Sequence, residues 1–193
     1  YNAGSLNEHL SSSKWWDFGR KQGGMFIFTP AQTANSNRWY RGTADAIGQN
    51  LDFLKQCHEP YVIITSGDCV YKMDYNKLLE YHINKQADIT VVCKEMSADV
   101  NTDRFGTIRM NEESRIEEFE EKPVVARSNT ISCGVYVIRR RQLIELIEKA
   151  EAEERFDFVR DILVRYKDMK RIYGYKIKNY WSNIATIEDY FHT

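Results

Sequence analysis

Two periods of apolar spacing alternate along this chain, and they separate strands from helices. Tyr61-Val62-Ile63-Ile64 runs apolar into Thr65, Ser66, Gly67 and Asp68. A run this short fits a buried strand of an α/β sheet. Residues 88–93 and 130–138 have the same character, and 171–178 returns as a further strand. Residues 25–28, Met-Phe-Ile-Phe, predict another strand, ended by Pro30. Residues 106–125 alternate apolar and polar positions around the turn residues Asn111 to Ser114, which predicts a hairpin or adjacent strands.

The 3.6-residue period occupies the stretches between. Over 43–57, Ala44, Ile47, Leu51 and Leu54 share one helix face, with Thr43 as N-cap and Asp45 facing the helix dipole favourably. Residues 77–85 and 186–191 also read as helical. Leu143, Ile147 and Ala150 line up within 142–153, as do Phe158, Ile162 and Tyr166 within 157–167. Strands alternating with helices predict an α/β fold. Its sheet is expected to be doubly wound and mostly parallel, with an antiparallel excursion around 106–125.

Composition narrows the function classes. The 193 residues suit one domain with a real core, and no repeat or linker divides them. A formal net charge of -1 leaves no electrostatic footprint for nucleic acid or an anionic membrane. The Arg139-Arg140-Arg141 run at a strand-to-helix junction reads as a solvated edge. No apolar run approaches roughly 18 residues, so no transmembrane helix is expected, and no signal-peptide pattern is visible. Cys57, Cys69, Cys93 and Cys133 contain no C-x-x-C pair, so neither a zinc site nor a disulfide framework is expected; reduced thiols fit a cytoplasmic protein. His9, His58, His82 and His192 lack metal or catalytic spacing and read as surface or satisfied histidines. Trp15-Trp16-Asp17-Phe18 reads as packing, or as an interface.

Candidate chemistry falls at strand ends and helix starts. Ligands of open α/β sheets bind outside the carboxyl ends of the strands, which puts Asp68 where a carboxylate can hold a divalent metal against a phosphate. By itself the segment also reads as a turn aspartate after a core strand. Trp39-Tyr40-Arg41-Gly42-Thr43-Ala44-Asp45-Ala46 opens a helix, whose N terminus suits anions, or is an ordinary cap with a surface arginine. Glu120-Glu121-Lys122-Pro123 can hold a sugar hydroxyl and a phosphate together, or be an exposed acidic hairpin. In Ser132-Cys133-Gly134-Val135-Tyr136 the glycine marks a close backbone approach. Tyr180-Trp181 precedes a polar loop, as a stacking face or as core.

Taken in order, these segments carry a resemblance. The set is completed by Tyr71-Lys72-Met73-Asp74-Tyr75, Arg104-Phe105-Gly106 and Asp157-Phe158 with Asp161. Together they resemble bacterial glucose-1-phosphate adenylyltransferase (ADP-glucose pyrophosphorylase) along nearly the whole chain. The resemblance implies a Rossmann-like nucleotidyltransferase domain that makes ADP-glucose and pyrophosphate from ATP and glucose 1-phosphate, for glycogen synthesis. It implies that Tyr40, Gly106, Glu121, Lys122 and Ser132 bind glucose 1-phosphate and that Asp157 contacts the sugar. Asp68 would ligate Mg²⁺. Arg41 and Asp45 lie in a matching substrate-binding motif. Asp68 and Lys122 would serve catalysis, since lysine and Mg²⁺ stabilise charge on a transferring phosphoryl group.

The departures are as specific. The family's Gly-rich nucleotide loop has no counterpart, because Gly23-Gly24 lacks the following basic residues and comes too late. The expectation is a partial nucleotidyltransferase domain over 1–193, without the first strand and loop and without the C-terminal β-helix domain. Catalytic members carry an aspartate after the Tyr-Trp pair as a second metal ligand; here it is Asn183, a weakened ligand. Val159 and Arg160 replace a glycine and a lysine, and Cys69 stands where a histidine often follows the aspartate. These departures resemble the GlgD-type regulatory branch of Gram-positive bacteria. That branch implies weak or no activity alone and a hetero-oligomer with a catalytic paralogue subunit.

Overall fold

The computed structural model describes residues 3–11, 24–30, 39–98 and 100–193. The chain divides into two units, residues 1–40 and 41–193. In the first, helix α1 spans Ala3–Ser11. Residues 25–28 form no strand, contrary to expectation, and Phe26 and Phe28 are 58% and 45% exposed. An apolar tetrapeptide becomes a strand only where a ladder receives its main-chain groups, and local composition cannot supply one. The Trp15–Phe18 cluster and Gly23 lie outside the described residues.

The second unit contains the sheet. Its strands are β1 (Tyr61–Thr65), β3 (Ile89–Glu95), β4 (Gly106–Met110), β5 (Ile116–Glu121), β6 (Thr130–Arg139) and β7 (Ile172–Lys176). The order is β5-β4-β6-β3-β7, with β1 also paired to β6. A separate ribbon joins β2 (Cys69–Tyr71) to β8 (Trp181–Asn183), antiparallel, with Cys69 opposite Asn183. Strands β1, β3 and β7 run in one direction, as alternating strands and helices predict. However, β6 inserts antiparallel between β1 and β3. The α/β class therefore holds, but the hydrogen-bonded pairs are mostly antiparallel, and β3 with β7 is the parallel one. The hairpin over 106–125 is present as β4 and β5.

The expected helix over 43–57 is two helices, α2 (Thr43–Gly48) and α3 (Leu51–Gln56). The Asn50 side-chain amide donates to the Ala46 carbonyl at 2.8 Å and competes with the helical ladder where Gly48 already weakens it. The apolar face survives the break: Ala44 and Leu51 are buried, with Ile47 and Leu54 packed beside them. Helix α4 (Tyr75–Asn84) is capped by Asp74, which accepts from the Asn76 and Lys77 amides. Helix α5 spans Arg140–Ala152, a π-helical segment spans Val159–Val164, and α6 (Ile187–His192) begins with a capping box from Thr186 and Asp189.

Both sheet faces are covered. Leu143, Ile147, Phe158 and Ile162 pack with Ile89, Val91 and Ile138 on one side. Leu78, Val92, Val137 and Trp181 form the other cluster. His82 is buried, bonded through Nδ1 to Thr90 Oγ1 at 2.8 Å, and burial pushes its pKa down to about 4, so the ring is neutral. No helix among the described residues is long and apolar enough to cross a membrane.

Candidate active site

The site begins with a fault in β6. Val91 faces Tyr136 and Cys93 faces Ser132, so Cys133, Gly134 and Val135 all stand opposite Val92. Bulges of this kind re-aim side chains beside functional sites. Gly134 takes φ 70°, in the left-handed region, and a Cβ there would lie 2.9 Å from the Ser66 Cβ. That approach lets the Ser66 amide reach the Gly134 carbonyl at 2.8 Å, closing the end of β1 against β6. The glycine of the Ser-x-Gly-x-Tyr motif is required by this contact.

Around that closure lies a cavity of about 260 Å³. It gathers six of the residues expected from sequence: Asp68, Gly106, Glu121, Lys122, Ser132 and Asn183. They come from five separate parts of the chain. Gly106 lies opposite Glu121 in the β4–β5 register, and a Cβ at 106 would sit 2.9 Å from Glu121 Oε2. The missing side chain is what lets the carboxylate lie across β4. Lys122 follows with φ 46°, a left-handed turn unusual for a residue with a Cβ. It is tied by its amide to the Phe105 carbonyl at 3.3 Å, and its ammonium lies 3.9 Å from Glu121.

The carboxylates of the cavity are tuned in opposite directions. Burial raises the Asp68 carboxyl, but hydrogen bonds from Ser66, Cys69 and Asn183 more than offset it and hold the group below the usual aspartate value. Burial also raises Glu121; the Asp157 carboxylate adds to the rise and Lys122 opposes it, leaving the group above its ordinary value. Asp68 is therefore the more acidic of the two, and Glu121 the more readily protonated. Burial pushes the neighbouring Cys69 thiol up to about 11, so it is no thiolate nucleophile.

Asn183 reaches the same floor from β8. Its Nδ2 donates to the Asp68 main-chain oxygen at 3.2 Å, and the Ile184 amide donates to that oxygen at 2.7 Å. Among the described residues no group of three His, Cys, Asp or Glu forms a ready metal cage. On this floor Asp68 offers one carboxylate and Asn183 one amide, a pair that suits a Mg²⁺ ion whose other ligands are water and phosphate oxygens.

Other expected residues are placed differently. Arg41 and Asp45 bind each other: the Arg41 amide donates to Asp45 Oδ2 at 2.7 Å and its guanidinium reaches Oδ1 at 3.2 Å. Asp45 is buried and neither residue lines the cavity. Nor does Thr43 cap its own helix. Its hydroxyl accepts from the Phe158 amide at 3.0 Å, while the Phe156 carbonyl takes the Ala44 amide at 2.8 Å. The helix start is thus satisfied from within the fold rather than open to an anion. Asp157 lies off the cavity and accepts from the Arg160 amide at 2.8 Å, but its charge is felt at Glu121. Tyr40 belongs to the first unit, where its hydroxyl reaches the Phe28 carbonyl.

Several lining residues escaped the sequence reading. Arg104 lines the cavity while paired with Asp189 at 3.3 Å, and Ser66 and Tyr136 form part of the wall. The Trp181 indole is buried and donates to the Cys133 carbonyl at 3.1 Å, propping the bulge from behind. The Arg-Phe-Gly sequence was a signal for Arg104; the prop shows only when β8 is folded against β6. Lys122 and Arg104, the Asp68 and Glu121 carboxylates and the Ser132 hydroxyl thus converge in one cleft, a set able to meet an anion and hydroxyl groups together.

Comparison with known proteins places the chain in a family. The family model described as Nucleotidyl transferase matches residues 1–193. A glucose-1-phosphate adenylyltransferase of Thermosipho melanesiensis is 39% identical over 195 residues, covering 100% of this chain and 47% of its own length. Its counterpart in Bacillus licheniformis is 40% identical over 185 residues, covering 94% and 48%. That of Bacillus thuringiensis strain Al Hakam is 39% identical over 191 residues, covering 97% and 50%. The chain spans about half the length of these curated relatives.

Proposed function

We propose that this chain, which belongs to the nucleotidyl transferase family, is part of a glucose-1-phosphate adenylyltransferase subunit whose role is mainly regulatory. The reaction is the attack of a glucose 1-phosphate oxygen on the α-phosphorus of ATP. A phosphorus–oxygen bond forms there, the bond to the β-phosphate breaks, and pyrophosphate leaves. No protein nucleophile is needed, so the residues position groups and neutralise charge. Lys122 holds the sugar phosphate, Glu121 and Ser132 accept sugar hydroxyls, and Gly106 keeps Glu121 in place. Asp157 acts on the sugar side through its field at Glu121.

A Mg²⁺ ion would be held by Asp68, with the Asn183 amide oxygen as a neutral second donor, and would supply positive charge at the transferring phosphoryl group. The observation that carries the regulatory reading is Asn183 bonded to the Asp68 main chain. Its amide nitrogen is committed to holding the Asp68 turn, and its oxygen brings no charge to a cation. The sugar-phosphate side of the cleft keeps its charged residues, which supports ligand binding with weak turnover. A hetero-oligomer with a catalytic paralogue then gives the subunit its use. Four free cysteines fit a cytoplasmic setting.

The test is ADP-glucose formation by the full-length protein, alone and mixed with its catalytic paralogue, with Mg²⁺, ATP and glucose 1-phosphate. No turnover alone and a raised rate in the mixture is the expected result. Vigorous turnover alone, abolished by Asp68→Ala, would establish a catalytic subunit instead. No response to glucose 1-phosphate or ADP-glucose would mark an interaction module without ligand.

A further inference from the structure

We infer a second anion-binding site at the opposite end of the sheet, where Arg139, Arg140 and Arg141 line a cavity of about 300 Å³ with His58 and Pro60. Its ligand is a small multivalent anion bearing phosphate or several carboxylates. The site does not depend on the reading of the cleft. Thr65 pairs with Val135 beside the cleft, whereas Tyr61 pairs with Arg139 at the other end of the same two strands. From Gly134 to Arg139 the strand runs about 17 Å, so one ligand of metabolite size does not span both sites.

Three consecutive arginines read in sequence as a solvated edge, but the fold turns them around a shared space. Arg41, Arg104, Arg109, Arg155, Arg165 and Arg171 each pair with a carboxylate. None of Arg139, Arg140 and Arg141 makes an ion pair among the described residues. The Glu59 carboxylate beside them is turned to the His58 amide at 3.1 Å. Three like charges gathered in one cavity that no carboxylate lines repel one another, and a bound anion removes that cost.

The cavity wall is also pre-set. Arg140 donates from Nε to the Glu59 carbonyl at 2.9 Å and from Nη1 to the Leu54 carbonyl at 3.0 Å. Its amide is held by the Pro60 carbonyl at 2.9 Å. Arg139 rests over the Tyr61 ring, 5.6 Å from its centroid. A guanidinium fixed before the ligand arrives loses little freedom on binding. Arg141 sits in the first turn of the 13-residue α5, which has no side-chain cap, so the helix dipole adds to the same positive field.

Calorimetric titration of the full-length protein with inorganic phosphate and with citrate tests this site, with glucose as the neutral control. Lys122→Ala removes the cleft's phosphate contact and is expected to leave this binding in place. The pair Arg139→Ala and Arg141→Ala is expected to weaken it at least tenfold, and the same pair changed to Lys to lie between. Arg140 is left intact because it bonds main-chain carbonyls. Thermal unfolding without anion checks that the variants fold, and an anion-induced rise in Tm, present in the wild type and lost in the Ala pair, repeats the test independently. Binding of phosphate alone would assign a phosphoryl ligand; binding of both anions would assign recognition by charge. Equal affinity in the wild type and the Ala pair, loss of all binding in Lys122→Ala, or no anion binding by the wild type would overturn the proposal.

Discussion

The side-chain amide of Asn183 donates to the main-chain oxygen of Asp68 at 3.2 Å, across the Cys69–Asn183 register of the β2–β8 ribbon. Two residues 115 positions apart thereby share the floor of the cleft. This bond makes the identity of residue 183 a matter of donor against acceptor as well as of charge. Asn183→Asp would exchange the donor for a carboxylate facing a carbonyl. In the absence of metal we expect it to cost about 0.5–1.5 kcal/mol, seen as a lower denaturation midpoint. With Mg²⁺ we expect that loss to be recovered and turnover by the full-length protein to rise at least tenfold. Unchanged turnover and unchanged Mg²⁺ affinity would remove the metal role of this position.

Lys122 is exposed and makes one loose ion pair, so Lys122→Ala should leave stability nearly unchanged. Its effect should fall on glucose 1-phosphate. Loss of a charge-assisted contact costs about 1.5–3 kcal/mol, or roughly ten- to a hundredfold in Kd by titration calorimetry. Equal affinity in the variant would take Lys122 out of the binding site.

Gly134→Ala should be strongly disruptive for a small change. The new methyl meets the Ser66 Cβ at 2.9 Å, on a backbone with φ 70°. Strain of this kind costs about 1–3 kcal/mol. Because the bulge forms the cleft wall, the variant should lose ligand affinity along with stability, measurable as a fall in both Tm and the ligand-induced Tm shift.

Asp45 gives a pH signature. Burial raises its carboxyl, but the Arg41 and Gln49 bonds prevail and hold it below 3.8. A carboxyl with a depressed folded value contributes stability that is full above its unfolded value. That contribution is lost as pH falls through the folded value. Asp45→Asn should therefore cost about 1.5–3 kcal/mol at pH 7. The gap between wild type and variant should narrow below pH 3.8. Urea midpoints at descending pH would show it; a gap independent of pH would mean the charge is not what stabilises the helix.

Much of the cleft was legible in one dimension because its residues sit in short strings that local chemistry makes unusual. Ser-x-Gly-x-Tyr, Glu-Lys-Pro and the Gly-Asp after an apolar run each combine a backbone peculiarity with a polar group. The structure supplies the peculiarity in each case: a bulge at Gly134, a left-handed Lys122, a bend at Gly67-Asp68. Arg41 and Asp45 showed the converse. They looked available for a ligand and are occupied by each other, because an i,i+4 spacing on a helix start brings them into contact.

The apolar periods alone determined which stretches form β1, β3, β6, the β4–β5 hairpin and the helices α4 and α5, since burial of one face needs no knowledge of the partner. Tertiary contact decided the rest. Residues 25–28 are not a strand, β6 enters antiparallel, and the three-residue strands β2 and β8 exist because each supplies the other's hydrogen bonds. Three adjacent arginines became the wall of a cavity only when α3 and β1 closed beside them. Pairing and enclosure are long-range: main-chain groups and charges are satisfied by residues far away in sequence, and no local pattern states which ones.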